Sequence, residues 1–384
     1  MKKRDSYLVF GKPLIEDAEI TEVVETLKSG WIGTGPKVKK FEDEFADYIN
    51  CENAVAVSSC TAGLHLSAIA LGISHGDEVI VPSMTFAASA NAVIHTGAKP
   101  VLVDVDKYNM TIDIKDVEKK ITQRTKAIMP VHFAGRVCDI DALEKIADQY
   151  SLSIIHDAAH AIETEYNGKK VGTYKHIANF SFYATKNLVT AEGGMITTNN
   201  DEIAGKLKIY ALHGMSKDAW KRFSDEGYKH YRVEVPGFKY NMTDIQASLG
   251  IHQLRRIDAL SERRKFIWNY YKNELKDLPL ILPPDPSPNS RHAYHLYTIM
   301  LDIDNTQIKR DALLQELHNY NIGTGVHYLA LHYHPFYKSL GYKEGDFPNS
   351  EFISNRTLSI PFAANLSDED IEYVVKALRE ILAK

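Results

Sequence analysis

A lysine placed just after a strand-like run is the first residue here whose setting suggests chemistry. Lys186 lies in Phe180-Ser-Phe-Tyr-Ala-Thr-Lys186-Asn-Leu-Val-Thr-Ala-Glu-Gly193-Gly194-Met, between an apolar segment and a glycine pair. Desolvation lowers a lysine's pKa and frees an amine for Schiff-base formation. A surface lysine at a strand end would read the same way. Asp157 closes the run Ser153–His156, at the carboxyl edge where open α/β sheets place ligands. Its carboxylate would pair with a ligand cation or cap the following helix. Ser58-Ser-Cys-Thr-Ala-Gly-Leu-His-Leu66 follows a predicted strand and opens a predicted helix. Free N–H groups and the helix dipole make such a turn a phosphate cradle, although its Ser and Thr also suit an ordinary N-cap.

Sixteen histidines are present, and His327-Tyr-Leu-Ala-Leu-His332-Tyr-His334 gathers three of them. No spacing sets two of these beside an acidic partner as a zinc site requires. No metal is expected, and a polar lining for a substrate pocket is the better reading. Trp31-Ile-Gly-Thr-Gly-Pro36 reads as a loop, either a binding segment or a turn.

These residues need a frame. Strand-like runs at Asn53–Val57, Glu78–Val81, Val101–Asp104, Lys126–His132, Ser153–His156, Phe180–Thr185 and Met195–Thr198 alternate with helical spacing at Ala62–Leu71, Ala87–His95 and Ile140–Tyr150. Such alternation predicts crossover connections and a mainly parallel sheet covered on both faces. Asp244–Leu275 reads as one long charged helix. After a proline-rich connector around Pro283–Pro288, a strand at His295–Asp302, a helix at Ile308–Tyr320 and a final helix capped by Ser367 predict a smaller α+β unit. Two domains are expected: residues 1–250 as a large α/β domain, and 251–384 as a linking helix with a small C-terminal α+β domain.

Composition narrows the classes. With 384 residues, 44% hydrophobic and 25% charged, the chain is globular rather than fibrous or disordered. A net charge of −5 without a basic block argues against nucleic acid or an anionic membrane as partner. Three cysteines cannot form a disulfide scaffold, and no run approaches the ~20 apolar residues of a membrane helix. The expected location is cytoplasmic.

Taken in order, Ser29–Pro36, Ala54–Leu66, Gly76–Thr85, Asp157–Ala161, Phe180–Gly194, Pro236–Asp244 and Gly323–His332 resemble the DegT/DnrJ-type sugar aminotransferases. Pro82-Ser-Met-Thr85, Asp157-Ala-Ala-His160 and His213-Gly…Asp218-Ala-Trp220 most resemble the branch that makes UDP-4-amino-4-deoxy-L-arabinose. The resemblance implies a fold-type I enzyme using pyridoxal 5′-phosphate (PLP), and a homodimer with shared active sites. It implies glutamate as amino donor and a nucleotide-linked keto-sugar, aminated at C4, as acceptor. Lys186 would bind PLP covalently, Asp157 would hold the pyridine nitrogen protonated, and His160 would lie on the ring-oxygen side. Phe86 would stack on the ring. Thr61, Ala62 and Ser181 would hold the phosphate, and Asn241 would reach the phosphate of the partner subunit. Trp31, His327, Tyr328 and His332 would face the substrate. Many members read Tyr-Asn-Tyr-Arg-Met where this chain has Phe238-Lys-Tyr-Asn-Met242, so Lys239 rivals Asn241, and Arg232 or Lys239 would supply a positive charge for the donor carboxylate. Asn241 would otherwise cap the helix near Asp244, and Lys217–Arg232 reads as a loop over the site.

Three other functions fit less well. A sugar dehydratase of the same family replaces the lysine with histidine, which this chain does not. A non-catalytic ligand sensor would tolerate loss of Lys186 or Asp157, and both are present. A nicotinamide oxidoreductase would carry Gly-x-Gly-x-x-Gly after an early strand, where this chain has Ser-Ser-Cys-Thr-Ala-Gly.

Overall fold

A computed structural model describes residues 2–216 and 231–383. Seven short apolar runs form the main sheet: β1 (Asn53–Val57), β2 (Glu78–Pro82), β3 (Lys99–Val103), β4 (Thr125–Ile128), β5 (Ser153–Asp157), β6 (Ile177–Ser181) and β7 (Gly194–Thr198). Their order is β1-β7-β6-β5-β4-β2-β3. All run parallel except β7, which pairs antiparallel with both β1 and β6. Continuous apolar sequence in β2 and β5 reflects burial on both faces, as helices α3 (Cys60–Ala70), α4 (Ala87–His95), α5 (Ile114–Lys120), α6 (Ile140–Tyr150) and α7 (Asp201–Ala211) cover the sheet.

Three expected elements end elsewhere. The strand expected over Phe180–Thr185 is β6, which stops at Ser181, so Lys186 sits five residues into the following loop. The run Lys126–His132 pairs regularly only over β4, and continues as a single bridge from Val131 to Asp157. The long helix is two, α8 (Asp244–Arg255) and α9 (Ile257–Leu275). Arg256 leaves helical geometry between them, and its guanidinium reaches Glu19 at 2.5 Å and the Leu14 carbonyl at 2.7 Å. Glu19 is fully buried on α1 (Asp17–Ser29), and an unpaired carboxylate there would be costly. The break satisfies it.

The C-terminal unit packs a three-stranded antiparallel sheet (Leu280–Ile281, Tyr297–Leu301, Thr357–Ile360) against α9, Arg310–Asn319 and Asp368–Leu382. Ser367 caps the last helix, with reciprocal bonds of 3.1 Å to Asp370. Leu8 is buried in this core and exchanges backbone bonds with Asn321 and Gly323. The start of the chain therefore crosses to the C-terminal unit, although the sequence grouped it with residues 1–250. Among the described residues, no helix is long and apolar enough to cross a membrane.

Candidate active site

Parallel strands bring their carboxyl ends to one edge of the sheet, and that edge holds the chemistry. Asp157 ends β5, Ser181 ends β6, and β1 leads through Ser59 into α3. Gly194 begins β7 at the same edge, where a Cβ would stand 2.6 Å from the Cys60 amide nitrogen. Only glycine lets the start of α3 lie so close to the strand.

A cavity of about 470 Å³ opens there. Lys186 and Asp157 both line it, with Thr61, Phe86, His160, Ser181, His327 and Tyr328. Asp157 is buried; its Oδ2 accepts from the Ser89 hydroxyl at 2.7 Å and its Oδ1 from the Ala159 N–H at 3.2 Å. No helix follows it directly, so the cap reading fails. Burial pushes its carboxyl up, while Ser89, Ala159 and the Lys186 charge pull it down. Burial draws the partly exposed Lys186 from the usual lysine range to about 8. An amine near pH 8 exists in both protonation states under ordinary conditions, which suits proton transfer. His160 accepts the Ala134 N–H on Nδ1 at 3.2 Å and lies 3.3 Å from the Tyr328 hydroxyl through Nε2. Desolvation and the Lys186 charge keep it neutral.

At the α3 turn, Ser59 is the N-cap and its Oγ already accepts the Ala62 N–H at 3.1 Å. Ala62 is thus a weaker phosphate donor than the sequence implied. The N–H groups of Cys60 and Thr61, in the first turn, have no acceptor within the helix, and both residues line the cavity with Ser181.

Three expected residues lie elsewhere. His332 is fully buried against Phe347, its Nε2 3.1 Å from Glu351, and does not line the cavity. The resemblance set it beside His327 at the substrate, but residues 331–333 turn as a short 3-10 helix that carries His332 into the core. Asn241 and Trp31 line a separate cavity of about 420 Å³. Asn241 does not cap α8. Thr243 does, in a reciprocal pair with Gln246. Asn241 instead donates to Thr34 Oγ1 at 2.6 Å and accepts from Lys239 Nζ at 2.5 Å. The Trp31–Pro36 loop is tied down by Asp244, which is fully buried and accepts N–H bonds from Gly35, Lys37 and Val38 at the start of α2 (Pro36–Ile49). Asp244→Ala removes the acceptor of all three bonds and is expected to cost about 2–4 kcal/mol. Urea unfolding should show it as a lower midpoint at unchanged slope; an unchanged midpoint would disprove the clamp. The loop expected at Lys217–Arg232, and the Asp218-Ala-Trp220 match, fall mostly or wholly outside the described residues.

Sequence reasoning missed Ser89 and gave Thr85, although within the quoted Pro82–Thr85 match, no role. Thr85 and Ser89 sit four residues apart and share a 2.8 Å bond. Small hydroxyls among the alanines of α4 were the available signal.

Residues 13–379 match the model of the DegT/DnrJ/EryC1/StrS aminotransferase family. The chain belongs to that family. SpsC of Bacillus subtilis, a spore coat polysaccharide biosynthesis protein, is 46% identical over 384 residues, covering 100% of this chain and 99% of SpsC. Spr1654 of Streptococcus pneumoniae, assigned as a sugar aminotransferase, matches in its PLP form with a TM-score of 0.91 at 33% identity, over 98% of this chain and 99% of that one. Its PMP form matches equally well. PseC of Helicobacter pylori, an aminotransferase of pseudoaminic acid biosynthesis, matches with a TM-score of 0.90 at 27% identity, over 98% and 100%. This DegT/DnrJ/EryC1/StrS chain is therefore a PLP-dependent sugar aminotransferase of fold type I. The cavity fits that cofactor: an amine and a buried carboxylate line one space, with an aromatic ring and a helix N-terminus at its walls.

Proposed function

We propose that the enzyme moves an amino group from glutamate to C4 of a UDP-linked 4-keto sugar, as a homodimer in the cytoplasm that shares its active sites. The observation that carries this reading is Lys186 and Asp157 lining one cavity beside the α3 N-terminus. PLP, when bound, supplies the electron sink that lets an amino group leave one carbon and reach another. Lys186 Nζ would anchor it and, once the donor's amine displaces it, the freed amine would take the proton from the donor Cα and, on the acceptor side, deliver a proton to the carbon being aminated. Asp157 holds a proton at the ring nitrogen. Phe86, 61% exposed at the mouth, offers its face to the ring. Thr61, Ser181 and the first turn of α3 hold the phosphate, while His160, His327 and Tyr328 give the polar wall that orients a sugar. Residues 1–250 carry the cofactor and 251–384 close over it. The sequence likeness to the UDP-4-amino-4-deoxy-L-arabinose branch supports the choice of UDP and C4, within the sugar amination common to the family. Incubation with glutamate and a panel of UDP-, dTDP- and GDP-keto sugars should give 2-oxoglutarate and a 4-amino product from the UDP sugar alone. Amination of another sugar or another carbon would overturn the substrate.

Helix α1 supports the dimer. It turns Glu19 and Thr26 inward and leaves Ile20, Val24 and Leu27 exposed, at 52%, 40% and 53%. The stripe runs on to Trp31, beside the cavity that holds Asn241. An apolar helix face of this kind needs a cover, and a second subunit would supply it. Asn241 then completes the phosphate site across the seam. Mixing Lys186→Ala with Asn241→Ala protein, under conditions that exchange subunits, tests this. Shared sites leave one intact site in each heterodimer, so activity should climb above either parent, toward about a quarter of wild type after random exchange. No recovery, with exchange confirmed by mass, would return Asn241 to its own subunit.

A further inference from the structure

Beyond the Lys186 turn lies a buried polar chain that the function proposed above does not use. Glu163 is fully buried, and Arg264 on α9 nearly so; the two form an ion pair. Asn187, next to Lys186, donates through Nδ2 to both Glu163 oxygens, at 3.1 and 3.0 Å, and to the Ala293 carbonyl at 2.7 Å. Its Oδ1 lies 3.1 Å from His295 Nδ1. The His295 ring centre is 4.4 Å from that of His160, which lines the Lys186 cavity.

Donor and acceptor chemistry then fixes the protons. A carboxylate only accepts, so Asn187 must turn its NH₂ to Glu163 and its carbonyl to His295. His295 Nδ1 must therefore donate. At His160 the order is reversed, because Nδ1 accepts from Ala134 and a neutral ring carries its proton on Nε2. Burial and the nearby Lys186 charge keep both rings neutral; His327, Arg264 and His292 also face His295 and act in the same direction.

We infer that Glu163, held by Arg264, is a positioning residue for the Lys186 site: it orients Asn187 and so holds His295 in its Nδ1–H form against His160. The proton positions stand on this geometry, and only their effect on rate rests on the proposed amino transfer. The pair gives the cavity a fixed, uncharged imidazole wall. Lys186 Nζ then faces no competing cation from this side.

Glu163→Gln tests the chain of orientation. A glutamine at 163 can donate as well as accept, so the Ala293 carbonyl alone then holds Asn187 in this sense, the turned-over amide becomes accessible, and His295 loses part of what enforces its form. Nitrogen-15 histidine NMR of the holoenzyme reports which ring nitrogen bears the proton, with His295 assigned by comparison with His295→Gln. Wild type should show Nδ1–H. The E163Q protein should show Nε2–H or an exchanging pair, a moved pH midpoint for the visible absorbance of the lysine-bound cofactor, and a kcat lower by about tenfold with the glutamate KM unchanged. If unpaired Arg264 prevents folding, E163Q/R264M removes that charge and allows the same measurement. An unaltered His295 signal and absorbance midpoint, in whichever variant folds, would overturn the inference and leave Glu163 and Arg264 a structural pair. A wild type without amino-transfer activity would count against the proposed function while the NMR result still decided this one.

Discussion

Alanine in place of Lys186 is expected to abolish amino transfer, by about 10⁴-fold or more, since one amine serves as cofactor anchor and proton carrier. Borohydride reduction of the wild type should fix the cofactor on the Lys186 peptide, and the variant should take up no covalent label. The lowered pKa gives an independent check. A lysine is reactive when neutral, so labelling of the cofactor-free chain by an amine reagent rises as pH passes through the pKa. For Lys186 the midpoint should fall at about 8, where ordinary lysines remain protonated. Label on another lysine, or a midpoint in the usual lysine range, would remove Lys186 from its role.

Asp157→Asn is expected to keep the fold and lose about 10²–10³-fold of turnover. The fold survives because the amide oxygen can accept from Ala159 while the NH₂ turns to Ser89, whose hydroxyl can accept as well as donate. Rate does not survive, because a neutral amide cannot hold the ring nitrogen protonated as a carboxylate does. Electrostatic support of this kind is worth about 3–4 kcal/mol in a dry site, and ~1.4 kcal/mol is tenfold. Melting and cofactor content near wild type, with turnover down, is the expected result. Turnover near wild type would refute the pairing.

The sequence carried most of the frame and only part of the site. Ala87–His95 and Ile140–Tyr150 were read to the residue because their periodicity agrees with their packing, and Asp139 caps the second. Asp157 and Lys186 stood out by their place after apolar strands, but a helix cap and a surface lysine read the same way there, and their roles came with the family resemblance. The misses share a cause, which is long-range geometry. His332 pairs with Glu351 inside the core, and no local pattern reports that. Arg256 breaks a helix to meet Glu19, roughly 240 residues earlier. The antiparallel direction of β7 could not be read from its composition, since a buried strand looks alike in both directions. Asn187, His295, Glu163 and Arg264 come from four distant segments, so their chain of hydrogen bonds has no signature in sequence at all.

That reversed strand also bears on how the protein comes into being. Among the strands of the main sheet β1 pairs with β7, roughly 140 residues further along, with a single bridge from Val57 to the still later Asn241, and α3 leaves β1 against Gly194. Closing so long a loop is slow, and until β7 exists β1 has no strand partner, only its packing against α2 and the Ala56 N–H bond to Glu42. On the ribosome, the first strand of the main sheet must wait, unpaired, while most of the sheet is made. At about 5–20 residues per second that wait lasts roughly seven to thirty seconds. The α3 turn and Ser181 meet across this seam, so cofactor capture becomes possible only when the last strand slots in. A ligand that binds there holds the sheet's latest junction shut, and its uptake requires that junction to have formed.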